Sequence, residues 1–255
     1  MKIIAVIPAR YNSKRFPGKL LKKIGKRTIV EQTYLSTYNT GLFDDVYVAT
    51  DNEKIYSLIH SAGGKVIMSD GEFECGTDRI ASAVSKLDVD IVINVQGDEP
   101  FIDKNSLLLL INSLKNDKKH EISLASLMNE ISDPKQIKNP NIVKVIVDNK
   151  NFAIYFSRFG LPYKIDDEKK ANYFKHIGVY AFRKKSLLEF PSLMVGPLEI
   201  SEKIECIRFI ENQKKIKMIT TLFEGVSIDT PEDLLYAKSI WLSLIHISEP
   251  TRRYS

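Results

Sequence analysis

The segment KIIAVIPARYNSKRFPGK, residues 2–19, joins a short apolar strand to a basic turn that contains both proline and glycine. The first 30 residues hold nine Lys or Arg side chains and no carboxylate. In open α/β sheets, a strand that delivers such a loop to the carboxyl edge surrounds bound phosphates with backbone N–H groups and cations. The segment is therefore a candidate phosphate loop, although its charge alone would equally fit a solvated basic turn.

Charge and composition narrow the class of protein. The chain has a net charge of +5, with 44% hydrophobic and 27% charged residues, which is typical of an ordinary globular protein. Because the nine N-terminal cations exceed the net charge, the rest of the chain is net acidic. No helix is striped with Lys and Arg, so the sequence argues against duplex nucleic-acid binding.

Length and cysteine usage set further limits. A chain of 255 residues suits one large α/β domain or two small ones. Cys75 and Cys206 are far apart and outside any zinc or CxxC spacing, which predicts reduced thiols in a cytosolic protein. No targeting segment and no run of about 20 apolar residues occurs, so we expect a cytoplasmic protein without a membrane partner.

Alternating β and α patterns run through the first half. KIIAVIP, DVYVATD, KVIMS and DIVINVQ predict buried strands. Helices are predicted over residues 28–38, 53–62 and 77–87, the last one capped by Thr77 or Asp78. Repeated βαβ units imply an α/β fold with a mainly parallel, right-handed, doubly wound sheet.

The second half has more strands and fewer helices. EISLASLM, NIVKVIVD, FAIYFSR and HIGVYAF predict antiparallel additions to the sheet or an inserted subdomain. A loop is predicted over residues 164–170, a helix over 198–212, and a closing strand and helix in SIDTPEDLLYAKSIWL, ending near Ser243. We expect one domain over residues 1–243 and interpret residues 244–255, which lack periodicity, as a non-native or disordered tail.

Two aspartates follow predicted strands. Asp98 lies in INVQGDEP, directly after a buried strand, at the edge where parallel sheets bind ligands. A carboxylate facing a polyphosphate needs a cation between them, and Mg²⁺ held by one or two carboxylates fits. Asp229 in SIDTPEDL is the second candidate ligand. The alternatives are a polar turn at GDEP and an ordinary helix cap before Pro231, for which Thr230 has the more usual position.

Eight short strings occur in order along residues 2–241 and together resemble the 3-deoxy-manno-octulosonate cytidylyltransferase (CMP-Kdo synthetase) family of lipopolysaccharide assembly. The strings are PARYNSKRFPGK, VATDN, GTDRI, NVQGDEP, FSR, KHIGVYAF, LE..E and DTPEDL. Each one alone is a weak match, whereas their joint order is specific. The resemblance implies a nucleotidyltransferase-type fold, Mg²⁺ dependence, a homodimer, and transfer of CMP from CTP to a sugar acid with loss of pyrophosphate.

The resemblance also implies roles for individual positions. Residues that match the family's motifs would bind the triphosphate (Arg10, Ser13, Arg15, Lys19), the cytidine (Gly76, Thr77, Arg79), magnesium (Asp98, Asp229) and the sugar acid (Gln96, Arg158, His176, Tyr180, Glu205). The catalytic set would be Arg10, Lys19, Asp98 and Asp229. Taken singly, Arg158, His176 and Tyr180 would equally fit a surface charge, a satisfied strand-end histidine and a core aromatic.

Two positions depart from the family pattern and leave the substrate open. Cys75 stands where a serine is usual, and Cys206 follows Glu205 where the similar enzymes have glutamine. Because that glutamine position is near the sugar, the same reaction on another acid, an 8-amino analogue or a nonulosonate, remains an alternative. A non-catalytic nucleotide- or RNA-binding module is the more distant one, and carboxylates facing the ligand argue against it.

Overall fold

A computed structural model of the chain describes residues 1–13, 15–69, 71–165 and 172–248, with side chains up to residue 243. The strands are β1 Ile3–Ala9, β2 Lys23–Ile24, β3 Arg27–Thr28, β4 Asp45–Thr50, β5 Lys65–Met68, β6 Ile91–Asn94, β7 Ile122–Glu130, β8 Lys144–Val147, β9 Ala153–Ser157, β10 Phe174–Arg183 and β11 Lys215–Thr220. The helices are α1 Ile29–Tyr38, α2 Glu53–Ser61, α3 Gly76–Val84, α4 Lys104–Asn116, α5 Pro134–Lys138, α6 Lys184–Glu189, α7 Pro197–Glu202, α8 Ile207–Glu211 and α9 Pro231–Ser248.

A nine-stranded mixed sheet forms the centre of the molecule, in the order β11-β7-β10-β6-β1-β4-β5, with β8 and β9 attached to β10. The pairs β1–β4, β1–β6, β4–β5 and β7–β11 are parallel, whereas β10 is antiparallel to both β6 and β7. The expected parallel sheet with antiparallel additions is therefore confirmed. The main antiparallel strand lies inside the sheet, and the β8–β9 hairpin extends that sheet through β10.

The carboxyl ends of β1, β4 and β6 meet at one edge of the sheet, because their registers pair Ala9 with Thr50 and Val6 with Asn94. The strands are buried on both faces, as their Val- and Ile-rich sequences require. Among the described residues, none of the helices has the length and apolar character needed to cross a membrane.

The turn after β6 is held tightly against the end of β1. A Cβ atom on Gly97 would lie 2.8 Å from the Pro8 carbonyl oxygen, so glycine is required for this close approach. On the other side, the Thr33 hydroxyl of α1 donates to the Gly97 carbonyl at 3.0 Å. These contacts fix the position from which Asp98 projects.

Two predicted helices differ from the observed ones. The N-cap of α3 is Cys75, without a side-chain capping bond, so Thr77 and Asp78 lie inside the helix. The helix expected over residues 198–212 is two short helices, α7 and α8, because Lys203 adopts the left-handed conformation at φ 54°. This break places Glu205 in a turn that faces the N-terminus of α3, where it accepts from the Thr77 N–H at 3.4 Å.

The C-terminal region also differs from expectation. The described residues between β11 and α9 form no strand; instead, the Ile228 N–H donates to the Asp98 carbonyl at 3.0 Å, which joins this segment to the turn after β6. The final helix continues beyond Ser243 to Ser248, since neither Gly nor Pro interrupts residues 232–248. Residues 249–255 of the expected tail and residues 166–170 of the expected loop lie outside the described part, and the origin of the tail stays a prediction.

Replacing Gly97 by alanine tests the close approach of the two strand ends. We expect Gly97→Ala to lower the free energy of unfolding by about 1–3 kcal/mol, because the new methyl group must displace the β1 backbone. Gly178→Ala is the matched control, since its Cβ would meet only the Gln96 Cγ, at 4.0 Å. Urea denaturation of both variants is the measurement, and equal midpoints would contradict the steric argument.

Candidate active site

Lys19 connects the basic loop to both candidate aspartates. Its ammonium Nζ donates to an Asp98 carboxylate oxygen and, at 2.9 Å, to Asp229 Oδ1. Arg15 Nη2 lies 2.9 Å from the other Asp229 oxygen. Three segments that are distant in the sequence, the loop after β1, the turn after β6 and the segment before α9, therefore place their charges in one cluster.

Local structure explains how Lys19 reaches this position. Gly18 adopts a left-handed conformation at φ 64° and starts a short 3₁₀ turn over Lys19–Leu21, with Leu20 buried in the core. Burial disfavours the Lys19 ammonium, but Asp98 and Asp229 outweigh it and raise the pKa of Lys19 above its usual value. Burial likewise opposes ionisation of Asp229, yet Lys19 and Arg15 hold its pKa below the usual value.

The Asp229 side chain is not used to cap α9. The capping pair is Thr230 with Asp233: Asp233 Oδ2 accepts from the Thr230 N–H at 2.8 Å, and Thr230 Oγ1 accepts from the Asp233 N–H at 3.3 Å. This confirms Thr230 as the cap residue. The Asp229 carboxylate therefore points to the cluster and has no role in capping the start of α9.

A third carboxyl group, Glu99, was not identified from the sequence as a site residue. It is buried, and burial followed by the charges of Asp98 and Asp229 raises its pKa to about 8. Glu99 is thus mostly protonated at neutral pH and adds little negative charge to the cluster. Only its burial distinguishes it, and a single sequence does not reveal burial at a polar turn.

The pair of aspartates fits magnesium when a substrate completes the coordination. Two carboxylates converge on one cation here, and the described residues contain no group of three or more His, Cys, Asp or Glu side chains arranged to hold a metal ion. Mg²⁺ is commonly bound by one or two carboxylates together with phosphate oxygens and water, rather than by a complete protein cage. The donor set therefore suits an ion that arrives with a phosphorylated substrate.

The residues expected at the nucleotide lie around the same edge. Arg10 is exposed and Ser13 half-buried in the loop after β1. Gly76 brings the start of α3 to the end of β1, because its Cβ would lie 3.6 Å from Pro8 Cγ. Thr77 is buried, so its contact with Glu205 runs through its backbone N–H.

Arg79, which was expected to contact the nucleotide, is held in place by several contacts within the protein. Its guanidinium donates to Ser69 Oγ at 2.6 Å and to Asp51 Oδ2 at 2.7 Å, and it stacks over the Phe73 ring. The side chain is buried and links α3 to the ends of β4 and β5. Its contacts among the described residues are those of a structural link beside the nucleotide edge.

The sugar-site candidates gather along β10. His176 and Tyr180 lie on this strand with ring centroids 5.6 Å apart, and a Cβ on Gly178 between them would touch Gln96. His176 Nε2 is 2.9 Å from Ser126 Oγ, and burial lowers the pKa of His176 to about 4. The histidine is therefore neutral at physiological pH and serves as a hydrogen-bonding group.

Both cysteines meet at Glu205, a neighbourhood that the sequence did not predict. Cys75 Sγ donates to Asp78 Oδ2 at 3.4 Å and lies beside Glu205, while the buried Cys206 lies beside Tyr180. Burial raises the pKa of both thiols, so they stay protonated at neutral pH. Burial also raises the pKa of Glu205.

Arg158 directly follows β9, and the bonds that it donates among the described residues go to Glu202 and Pro140 rather than to the aspartate cluster. Its Nε donates to the Glu202 carbonyl at 2.8 Å, and its Nη1 donates to the Pro140 carbonyl at 3.0 Å. Phe156, two residues earlier, packs edge-on against the His176 ring at 4.9 Å. The arginine thus belongs to the wall that continues from His176 rather than to the phosphate loop.

Comparison with known proteins places this arrangement in a family. A family model described as cytidylyltransferase matches residues 4–216. The 3-deoxy-manno-octulosonate cytidylyltransferase of Christiangramia forsetii is 53% identical over 94% of this chain and 96% of the relative. The protein of that name from Flavobacterium johnsoniae is 53% identical over 94% of this chain and 98% of the relative.

A solved structure gives the same result. CMP:2-keto-3-deoxy-manno-octonic acid synthetase, in complex with CTP, superposes with a TM-score of 0.90 at 33% identity, covering 96% of this chain and 100% of that one. The resemblance found in the sequence motifs is thereby confirmed. This chain belongs to the cytidylyltransferase family and, within it, to the 3-deoxy-manno-octulosonate cytidylyltransferases.

Proposed function

We propose that this chain transfers CMP from CTP to 3-deoxy-D-manno-octulosonate (Kdo), forming CMP-Kdo and pyrophosphate for lipopolysaccharide biosynthesis. The observation that carries the proposal is the convergence of Lys19, Asp98 and Asp229 beside a basic loop at the carboxyl edge of the sheet. A pure polyanion binder gains nothing from two carboxylates facing its ligand. Phosphoryl-type transfer needs this combination, because both leaving-group charge and metal must be held.

The chemical step is a displacement at phosphorus. The anomeric hydroxyl of the sugar acid attacks the α-phosphorus of CTP in line, and pyrophosphate leaves. Arg10, Arg15 and Lys19 stabilise the charge that develops on the leaving pyrophosphate, with Ser13 as a further phosphate contact. Alignment and charge neutralisation supply most of the rate, so a covalent intermediate is not required.

Asp98 and Asp229 would hold the magnesium ion. When bound, Mg²⁺ supplies positive charge to phosphate oxygens and lowers the pKa of a hydroxyl group that it contacts. The Lys19 ammonium also neutralises these two carboxylates. Glu99 stays protonated beside them, which limits repulsion of the triphosphate.

The two substrates would occupy opposite ends of this edge. The start of α3, with Gly76 and Thr77, receives the cytidine, and Arg79 supports that end through its contacts with β4 and β5. At the other end the wall that binds the sugar comprises Gln96, Arg158, His176, Tyr180 and Glu205. Since His176 is neutral, the carboxylate of the sugar acid falls to Arg158, a planar donor suited to two parallel hydrogen bonds.

The identity of the sugar acid is the part that Cys206 leaves open. The Cys206 thiol lies beside Tyr180 and Glu205. The similar enzymes usually have glutamine at the position of Cys206, so an 8-amino analogue or a nonulosonate is the second candidate. Pyrophosphate release with CTP, Mg²⁺ and a panel of sugar acids decides between them. Absence of pyrophosphate release with every acid would refute the proposed activity itself.

Assembly and location follow from the family resemblance. We expect a homodimer in the cytoplasm, and no nucleic-acid partner, because the positive charge is concentrated in the phosphate loop. Size-exclusion chromatography with light scattering would measure the assembly directly.

Asp98→Asn should lower kcat by at least about a hundredfold, because it removes charge that faces the reacting phosphate. Asp229→Asn should have a similar effect. Asp103→Asn is the matched control, since Asp103 caps α4 by accepting from the Ser106 N–H at 2.8 Å: its melting temperature should fall while kcat is kept. Steady-state pyrophosphate release and thermal unfolding are measured together, and full activity of the Asp98 variant would disprove the assignment.

Lys19→Met and Arg15→Ala should weaken CTP binding by about tenfold or more while changing sugar-acid KM little, because both cations face the triphosphate. Lys23→Ala is the control, being an exposed cation of the same N-terminal region. Calorimetric titration with CTP gives the affinities. Unchanged affinity in both loop variants would contradict the phosphate-loop interpretation.

His176 should make stability depend on pH. Its folded-state pKa of about 4 lies below its usual 6.5, so the unfolded chain binds more protons between these values. The free energy of unfolding should therefore fall as the pH drops from about 6.5 to 4, by up to about 3 kcal/mol. His176→Gln should flatten that part of the profile, measured by urea denaturation; an unaltered slope would mean that the histidine is protonated in the folded protein.

A further inference from the structure

Lys144 is a buried cation on β8, with 1% of its surface exposed. Its Nζ donates to three backbone carbonyls, those of Asn139 at 2.9 Å, Ile142 at 2.6 Å and Arg158 at 2.5 Å. No carboxylate pairs with it in the part of the chain that the structure describes. Burying a lysine without an anionic partner costs folding free energy, which points to a functional role for Lys144.

The three carbonyls match the three N–H groups of an ammonium, whereas a neutral amine could satisfy only two of them. Burial lowers the pKa of Lys144, and Glu202 offsets part of that effect while Arg158 adds to it. The carbonyl dipoles thus hold the positive charge in place of a counter-ion. The ammonium also ties the loop over residues 139–142 to the end of β9.

Hydrogen bonds hold the Arg158 backbone and two of its three guanidinium nitrogens in place. Its carbonyl is bound by Lys144, its N–H donates to Glu202 Oε2 at 2.8 Å, and its Nε donates to the Glu202 carbonyl. Its Nη1 is anchored on Pro140, a member of the loop that Lys144 holds. The structure describes no protein partner for Nη2, so one end of the fork is available to a ligand.

Charge in this corner is net positive. Lys144 and Arg158 contribute two positive charges. Glu202 is the carboxylate whose negative charge raises the pKa of Lys144. An anion that binds Nη2 would therefore meet an attractive field from two fixed cations. A neutral sugar of the same shape would gain nothing from it.

We propose that Lys144 is the positioning residue that holds Arg158 for the carboxylate of the sugar acid and that makes this pocket select acids over neutral sugars. The proposal rests on the proposed function, in which Arg158 binds that carboxylate. Lys144 itself does not touch the substrate. It acts through the Arg158 carbonyl and through the loop that carries Pro140.

The test compares Lys144→Met with the wild type. Removing the ammonium frees the loop and the Arg158 backbone, so KM for the sugar acid should rise about tenfold or more, with kcat and KM for CTP within about threefold. Lys144→Arg, which keeps charge and donors, should recover much of the loss. Discrimination between the sugar acid and its methyl ester, as a ratio of kcat/KM, should fall in the Met variant.

Lys175→Met is the matched control, because it removes a lysine that pairs with Lys144 in the β8–β10 ladder without contacting Arg158. It should leave both KM values unchanged. If the Met variant does not fold, Lys144→Gln, which keeps two N–H donors, gives the same comparison. The thermal shift produced by the sugar acid alone provides a readout that does not depend on turnover.

Losses shared equally by both substrates, or an unchanged sugar-acid KM, would overturn the positioning role and leave Lys144 a structural residue. These outcomes are distinct from failure of the proposed function. In that case the wild-type protein itself would release no pyrophosphate with Kdo or any related acid.

Discussion

The ammonium of Lys19 between Asp98 and Asp229 is the interaction on which the site depends. It links a loop, a strand-end turn and a C-terminal segment that are distant in the sequence, in addition to the bond from the Ile228 N–H to the Asp98 carbonyl. Without a cation, two carboxylates at this distance would repel each other and oppose packing of the segment before α9 against the sheet. These charges therefore also stabilise the packing of the three segments.

The local sequence correctly predicted the elements that have a regular pattern of apolar residues. The buried strands β1, β4, β5 and β6 have continuous Val- and Ile-rich sequences, and the registers then require their ends to share an edge, so Asp98 could be placed correctly. The break between α7 and α8 could not be predicted, because Lys203 adopts a left-handed conformation that its residue type disfavours. Side-chain partners were equally inaccessible: the meeting of Cys75 and Cys206 at Glu205 depends on long-range packing.

The protein stabilises its buried charges in two different ways. In the cluster of Lys19, Asp98 and Asp229, cations and carboxylates neutralise each other directly, so they can exchange partners at small cost. Beside Arg158, Lys144 is held by neutral carbonyls and keeps its positive charge without a paired carboxylate in the described residues. The first arrangement suits charges that exchange partners, while the second suits a positive charge that stays fixed in place.

The sequence separation between Lys19 and Asp229, 210 residues, has a consequence for how the protein is made. During synthesis, the N-terminal βα units can form while most of the chain is still on the ribosome, since their contacts are local. Asp229 emerges 210 residues after Lys19, and until it docks, Asp98 is the one of the two aspartates that Lys19 can pair with. The cluster is thus completed only after residue 229 has been made, so products that terminate earlier would contain the basic loop without the second carboxylate.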